Sequence, residues 1–141
     1  MATSPVFFRK YGFTANDLLL FRVILLLNDQ YRLQMDSLDP SLQGHAAWME
    51  RCIQESAPGC VYFGFDDYIN EENRDIVVSL LQGCLEIIEP LGDVLPGNWF
   101  NEKLRLQGIT FDDVAKNVVR ELIHKFVLLL KQEPHPDFYN R

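Results

Sequence analysis

Cysteine is scarce in this chain. Cys52, Cys60 and Cys84 are odd in number, far apart and never spaced as Cys-x-x-Cys, which argues against a disulfide framework or a zinc knuckle and points to the cytosol. All three read as small core residues, because free cysteine is among the most often buried side chains. Long hydrophobic runs are missing too. The most apolar stretch, Leu18 to Leu27, contains Arg22 and is bounded by Asp17 and by Asn28 and Asp29. A membrane span needs roughly 20 apolar residues, so this stretch reads as a buried helix. Arg9 and Lys10 precede it, yet the following Asn-Asp-Gln-Tyr-Arg offers no small-residue cleavage site of a signal peptide.

The residue patterns of common chemistries are also lacking. No Gly-x-Gly-x-x-Gly or Gly-x-x-x-x-Gly-Lys-Ser/Thr loop is present, so no nucleotide fingerprint exists. There is no Gly-x-Ser-x-Gly elbow, and none of the serines stands in a nucleophile setting. His45, His124 and His135 lack a second histidine or a carboxylate at the helical spacing of metal ligands. His45 and His124 therefore read as surface or boundary positions. Adjacent acids such as Asp66-Asp67 and Glu71-Glu72 read as a solvated face rather than a catalytic pair. The expectation is a protein without enzymatic activity, metal or cofactor.

Basic residues are sparse in the middle of the chain. From Asp36 to Asp93 there are twelve acids and two bases, a net of −10, while the two flanks hold eight acids and eleven bases, a net of +3, giving the whole −7. Such a field repels nucleic acid and anionic membranes, whose binding depends on lysine and arginine. A cationic protein partner is the expected counterpart, drawn in by electrostatic steering.

What is present is a core. With 141 residues, 48% hydrophobic and 23% charged, the chain can form one packed domain over 1–141 without covalent staples. Gly12 to Leu18 and Gly108 to Val114 share a pattern of threonine followed three residues later by aspartate, which predicts N-caps at Thr14 and Thr110. The first helix is expected from Ala15 to Leu33, apolar on nearly every side and central. The last is expected from Phe111 to Gln132, with Val114, Val118, Leu122, Phe126 and Leu130 inward and Lys116, Asn117, Arg120 and Lys131 outward. Between them, Asp39-Pro40 starts a helix with Leu42, Ala46, Met49 and Ile53 inside, stopped by Pro58-Gly59. A further helix from Glu71 to Ile88 places Ile76, Leu80, Cys84 and Ile87 on one face, with Val77, Leu81, Leu85 and Ile88 beside them, and Pro90 and Gly92 close it. Cys60 to Phe65 is a short strand or an ordered loop, and Trp99 to Gln107 a short helix ending at Gly108 or one arm of a hairpin. Residues after Pro134 are too proline-rich to continue the helix, and are expected to lie along the surface or fray. The predicted fold is mainly α: a compact bundle of about four main helices.

The run from Val61 to Asp75 interleaves four aromatics with five acids beside Gly64. Aromatics supply rigid contact area and acids supply complementarity to a basic surface. Phe63 and Phe65 either plug the core between the second and third long helices or join that surface. Asp66, Asp67, Tyr68, Glu71, Glu72 and Asp75 are the candidate partner-binding residues.

In size, charge and this segment, the chain resembles the small acidic immunity proteins of bacterial contact-dependent growth inhibition and polymorphic toxin systems. That resemblance implies a cytoplasmic inhibitor in tight one-to-one complex with a cognate toxin domain, often a basic nuclease, whose substrate site the inhibitor covers or mimics. A competing reading is a helical adaptor or regulatory subunit, self-associating through Trp48, Trp99 and exposed apolar residues.

Overall fold

The computed structural model describes residues 2–55, 61–103 and 110–141. The chain opens not with a helix but with a hairpin. Strand β1 (Thr3–Phe8) alternates exposed and buried positions, so that Ser4, Val6 and Phe8 face inward. It pairs antiparallel with β2 (Tyr11–Asn16), Val6 opposite Phe13 and Phe8 opposite Tyr11. Arg9 and Lys10 form the turn, and Arg9 takes a left-handed φ of 53°. Glycine or asparagine favours that conformation, so the usual signal of a tight hairpin is absent from the sequence.

Helix α1 (Asp17–Gln34) then starts from Asn16, whose side chain accepts from the amides of Leu18 (2.9 Å) and Leu19 (3.2 Å). Asn16, not Thr14, is the cap. Every residue from Leu20 to Asn28 is buried, and α1 packs against three other helices as the central element. A 3-10 turn (Met35–Ser37) leads to α2 (Pro40–Glu55), whose first turn is capped by the Asp39 carboxylate accepting from Leu42 N at 2.8 Å. Its inner stripe, Leu42, Ala46, Met49 and Ile53, is buried as expected. Pro58-Gly59 and Cys60 lie outside the described residues, as do Arg105 to Gly108.

After an irregular stretch and the single turn α3 (Phe65–Tyr68), α4 (Arg74–Ile88) buries Val77, Leu80, Leu81, Cys84 and Ile88. Ile76, expected inside, is exposed. Strand β3 (Val94–Leu95) pairs antiparallel with β4 (Val114–Ala115), enclosing the short helix α5 (Gly97–Asn101), which carries Trp99. Helix α6 (Lys116–Lys131) ends at Gln132, which adopts a left-handed φ of 58°. The helix therefore starts from Ala115 and not from Thr110. The Asp113 carboxylate, read as part of that helix start, accepts instead from Gly97 N at 2.8 Å. Lys116, expected outside, is buried, and its ammonium donates to the Glu89 and Leu91 carbonyls at the end of α4 (2.9 and 2.7 Å). Val118 is exposed.

The chain returns to its beginning. Strand β5 (Tyr139–Asn140) adds to the free edge of β2, giving the order β1-β2-β5. Gln132 ties the end of α6 to the hairpin, its side chain donating to Phe8 O (2.8 Å) and accepting from Lys10 N (3.1 Å). Among the described residues, six α-helices and five strands in two small sheets thus replace the expected helical bundle, and the fold is an α+β mixture. One cluster of buried residues from β1, β2 and the helices forms the core. Arg22 lies within it, its guanidinium between the Phe100 and Phe111 rings and donating to the carbonyls of Asp112 (2.7 Å) and Leu18 (3.2 Å).

Candidate functional site

The segment from Val61 to Asp75 packs against α2 and β1, and its backbone is held firmly. Val61, Phe63, Phe65 and Ile69 are buried. The Phe63 and Phe65 rings stand 4.8 and 5.8 Å from Phe126 of α6, so of the two readings left open by the sequence these residues take the core. Gly64 between them has a φ of 66°, a left-handed turn that an L side chain resists. That turn lets Tyr62 point outward while both neighbouring phenylalanines point in. Asn73, fully buried, donates to Tyr68 O (3.1 Å) and accepts from Asn70 N (2.8 Å). Asn70 in turn accepts from the amides of Glu72 and Asn73. Ser41 donates to Tyr68 O at 2.5 Å, fixing the segment to α2.

Beneath it lies His45. It is 0% exposed, contrary to the surface or boundary position the sequence suggests. Its Nε2–H donates to the Phe63 carbonyl (2.8 Å), an atom that only accepts, and its Nδ1 therefore accepts from the Tyr31 hydroxyl (2.5 Å). Burial pushes the imidazole down to about 4 and the Tyr31 phenol up. A neutral histidine thus joins α1 and α2 to the candidate segment.

On the outer side the six candidate residues separate into groups. Tyr68 is half-buried, its ring against His45 (5.3 Å) and so close to Gly44 that a Cβ there would stand 3.1 Å away. It is a packing residue as much as a surface one. Asp67 accepts from the Tyr62 hydroxyl (2.8 Å), and the phenol is pushed up to about 12 by burial and by that carboxylate. Asp66 accepts from Arg9 N (2.9 Å) and from the Arg141 guanidinium (2.8 Å). Glu71 pairs with Arg9 and with Arg74, and the Arg9 hydrogen bond holds its carboxyl below the usual range. Among the described residues, Glu72 and Asp75 meet no cation at ion-pair distance, and both are exposed.

Around the acids stands an aromatic rim: Tyr62 is 6.0 Å from Phe7 and 6.1 Å from Trp48, whose Nε1–H donates to Tyr62 O (2.7 Å). Sequence reasoning missed Phe7, Arg9 and Arg141, which belong to the first hairpin and the last strand. The cationic flanks were the available signal, since an acidic middle draws them in.

Burial pushes the Cys52 and Cys84 thiols up to about 11 and about 12, away from the thiolate a nucleophile needs. Among the described residues no group of three or more His, Cys, Asp or Glu side chains could hold a metal ion. No helix among them is long and apolar enough to cross a membrane. No protein-family model, curated protein or solved structure matches the chain.

Proposed function

We infer that this chain is a binding protein whose acidic, aromatic face engages a basic protein surface, and that the partner is a cognate bacterial toxin domain held inactive in the cytosol. One observation carries the reading: Asp66, Asp67, Glu71, Glu72 and Asp75 stand exposed on a segment whose backbone is braced by Asn70, Asn73, Ser41 and His45. A rigid charged segment loses little entropy on binding, so more of the contact energy appears as affinity. Trp48, Tyr62 and Phe7 give the same face the aromatic character of interface hot spots. Arg9, Arg74 and Arg141 offset part of the charge, so three guanidiniums against five carboxylates leave the face at −2. The partner's cations meet Glu72 and Asp75 first.

The test is co-expression with the protein encoded by the adjacent gene, fused to an affinity tag. A one-to-one complex that abolishes the partner's growth inhibition supports the reading. A neighbour that is not growth-inhibitory, or that purifies without this chain, refutes it.

A further inference from the structure

Three parts of the structure converge where β5 lies on the sheet. The first is the exposed edge of β2, which pairs with only two residues of β5, Tyr11 with Asn140 and Gly12 with Tyr139. The second is Gly12 itself. A Cβ built there would stand 2.8 Å from the Tyr139 ring, so the absent side chain is the seat of that ring. The third is a guanidinium seat. Arg141 lies over the Phe7 ring at 4.2 Å, and its Nη1 donates to Asp66 Oδ2 and Arg9 O, both at 2.8 Å. Its amide also donates to Lys10 O at 2.9 Å. Together these recognise an extended segment with an aromatic residue and, two positions on, an arginine.

The chain's own Tyr139-Asn140-Arg141 fills this seat, but by a short strap. Tyr139 is 44% exposed and Asn140 and Arg141 are exposed too, whereas Phe138 before them is half-buried, its ring stacked on Phe13 at 5.6 Å. Between α6 and β5 run Pro134 and Pro136, which cannot donate to a ladder. A two-residue strand on an open edge belongs to the least stable part of a fold.

We propose that the edge of β2, Gly12 and the Phe7–Asp66 pair form a peptide-docking seat that Tyr139–Arg141 occupies in cis, and that an arginine-bearing extended segment of the basic partner replaces it. Main-chain pairing along the edge supplies affinity, and the ring and guanidinium seats supply selectivity, as in other strand-addition complexes. The partner's arginine then takes the place of Arg141 on Asp66, so that carboxylate exchanges an internal cation for one across the interface. The inference rests on the proposed function only for the partner's identity. Its chemistry is tested with a peptide, so the two can fail separately.

The probe is a fluorescein-labelled peptide copying residues 133–141, titrated by polarisation into the full-length chain. The strap competes in cis at an effective concentration on the order of millimolar, so the wild type binds the probe weakly. Tyr139→Ala/Arg141→Ala, which alters exposed side chains only, is expected to bind it at least about tenfold more tightly. Adding Gly12→Ala or Asp66→Asn to that variant should remove the gain. Equal binding by the wild type and the released variant overturns the proposal, as does a gain insensitive to both added changes. A wild-type dimer that exchanges β5 between copies also overturns it, since the seat's occupant would then be a second copy of this chain.

Discussion

His45 occupies the inner side of α2 with both ring nitrogens committed, one as donor to Phe63 O and the other as acceptor from Tyr31. Protonation would place a charge in a buried site and turn the Tyr31 hydroxyl from donor to acceptor at Nδ1. In the folded chain the imidazole titrates at about 4, against 6.5 when exposed. Above pH 6.5 the residue is neutral in both states and the folded chain keeps its full stability. As pH falls from 6.5 toward 4, the unfolded chain takes up a proton that the folded one refuses, so stability is lost over that window. Between pH 7.5 and 4.5 the wild type should lose about 2–3 kcal/mol more than His45→Gln, read from urea midpoints at each pH. Parallel losses would mean that the ring is not held neutral. Tyr31→Phe strips Nδ1 of its donor and should cost about 1–3 kcal/mol at pH 7.5. The spacing carried a sign of its burial, because His45 stands on the same face as Leu42, Ala46 and Met49, but its partners Tyr31 and Phe63 come from other parts of the chain and no local pattern declares them.

The helices were legible where apolar spacing and caps agree, as in α2, where Asp39-Pro40 and the Leu42 to Ile53 stripe both held. They misled at Thr14 and Thr110. Thr14 fell within β2, since threonine favours strands as much as caps, and Thr110 lies in irregular chain ahead of β4. Asn16→Ala should therefore cost about 1 kcal/mol, whereas Thr14→Ala, at an exposed strand position, should stay within about 0.5 kcal/mol; chemical denaturation of both variants checks this. Lys116 shows the same limit. Its position on the polar stripe hid the fact that β4 turns the start of α6 over the end of α4, where an ammonium satisfies two orphan carbonyls and suits the helix dipole. Lys116→Met should destabilise by about 1–3 kcal/mol in the same assay. The sheet was the largest omission. Its hairpin turn uses Arg9 in place of glycine or asparagine, and its third strand comes from residues 139–140, a pairing no local pattern can announce.

At the scale of the molecule, the division of charge along the chain is partly closed in space. The cationic flanks fold back on the acidic middle, with Arg9 and Arg141 on Asp66 and Glu71 and Arg120 on Glu89. The candidate residues were thus legible as an acidic segment, while the separation between neutralised and outward-facing acids was not. Reversing Asp66 or Glu71 would disturb the hairpin and β5 as well as any partner. Glu72 and Asp75 have no such second role among the described residues, so they test the proposed binding face alone. The decisive measurement is calorimetric titration of the adjacent gene's product, the proposed partner, with three forms: wild type, Glu72→Lys/Asp75→Lys, and the control Glu121→Lys/Glu133→Lys. Charge pairs buried at an interface cost about 2–5 kcal/mol when broken, and exposed rim charges far less. Binding should weaken by about tenfold or more in the first variant and by less than about twofold in the control. Equal affinity for all three forms would contradict the assignment of this face.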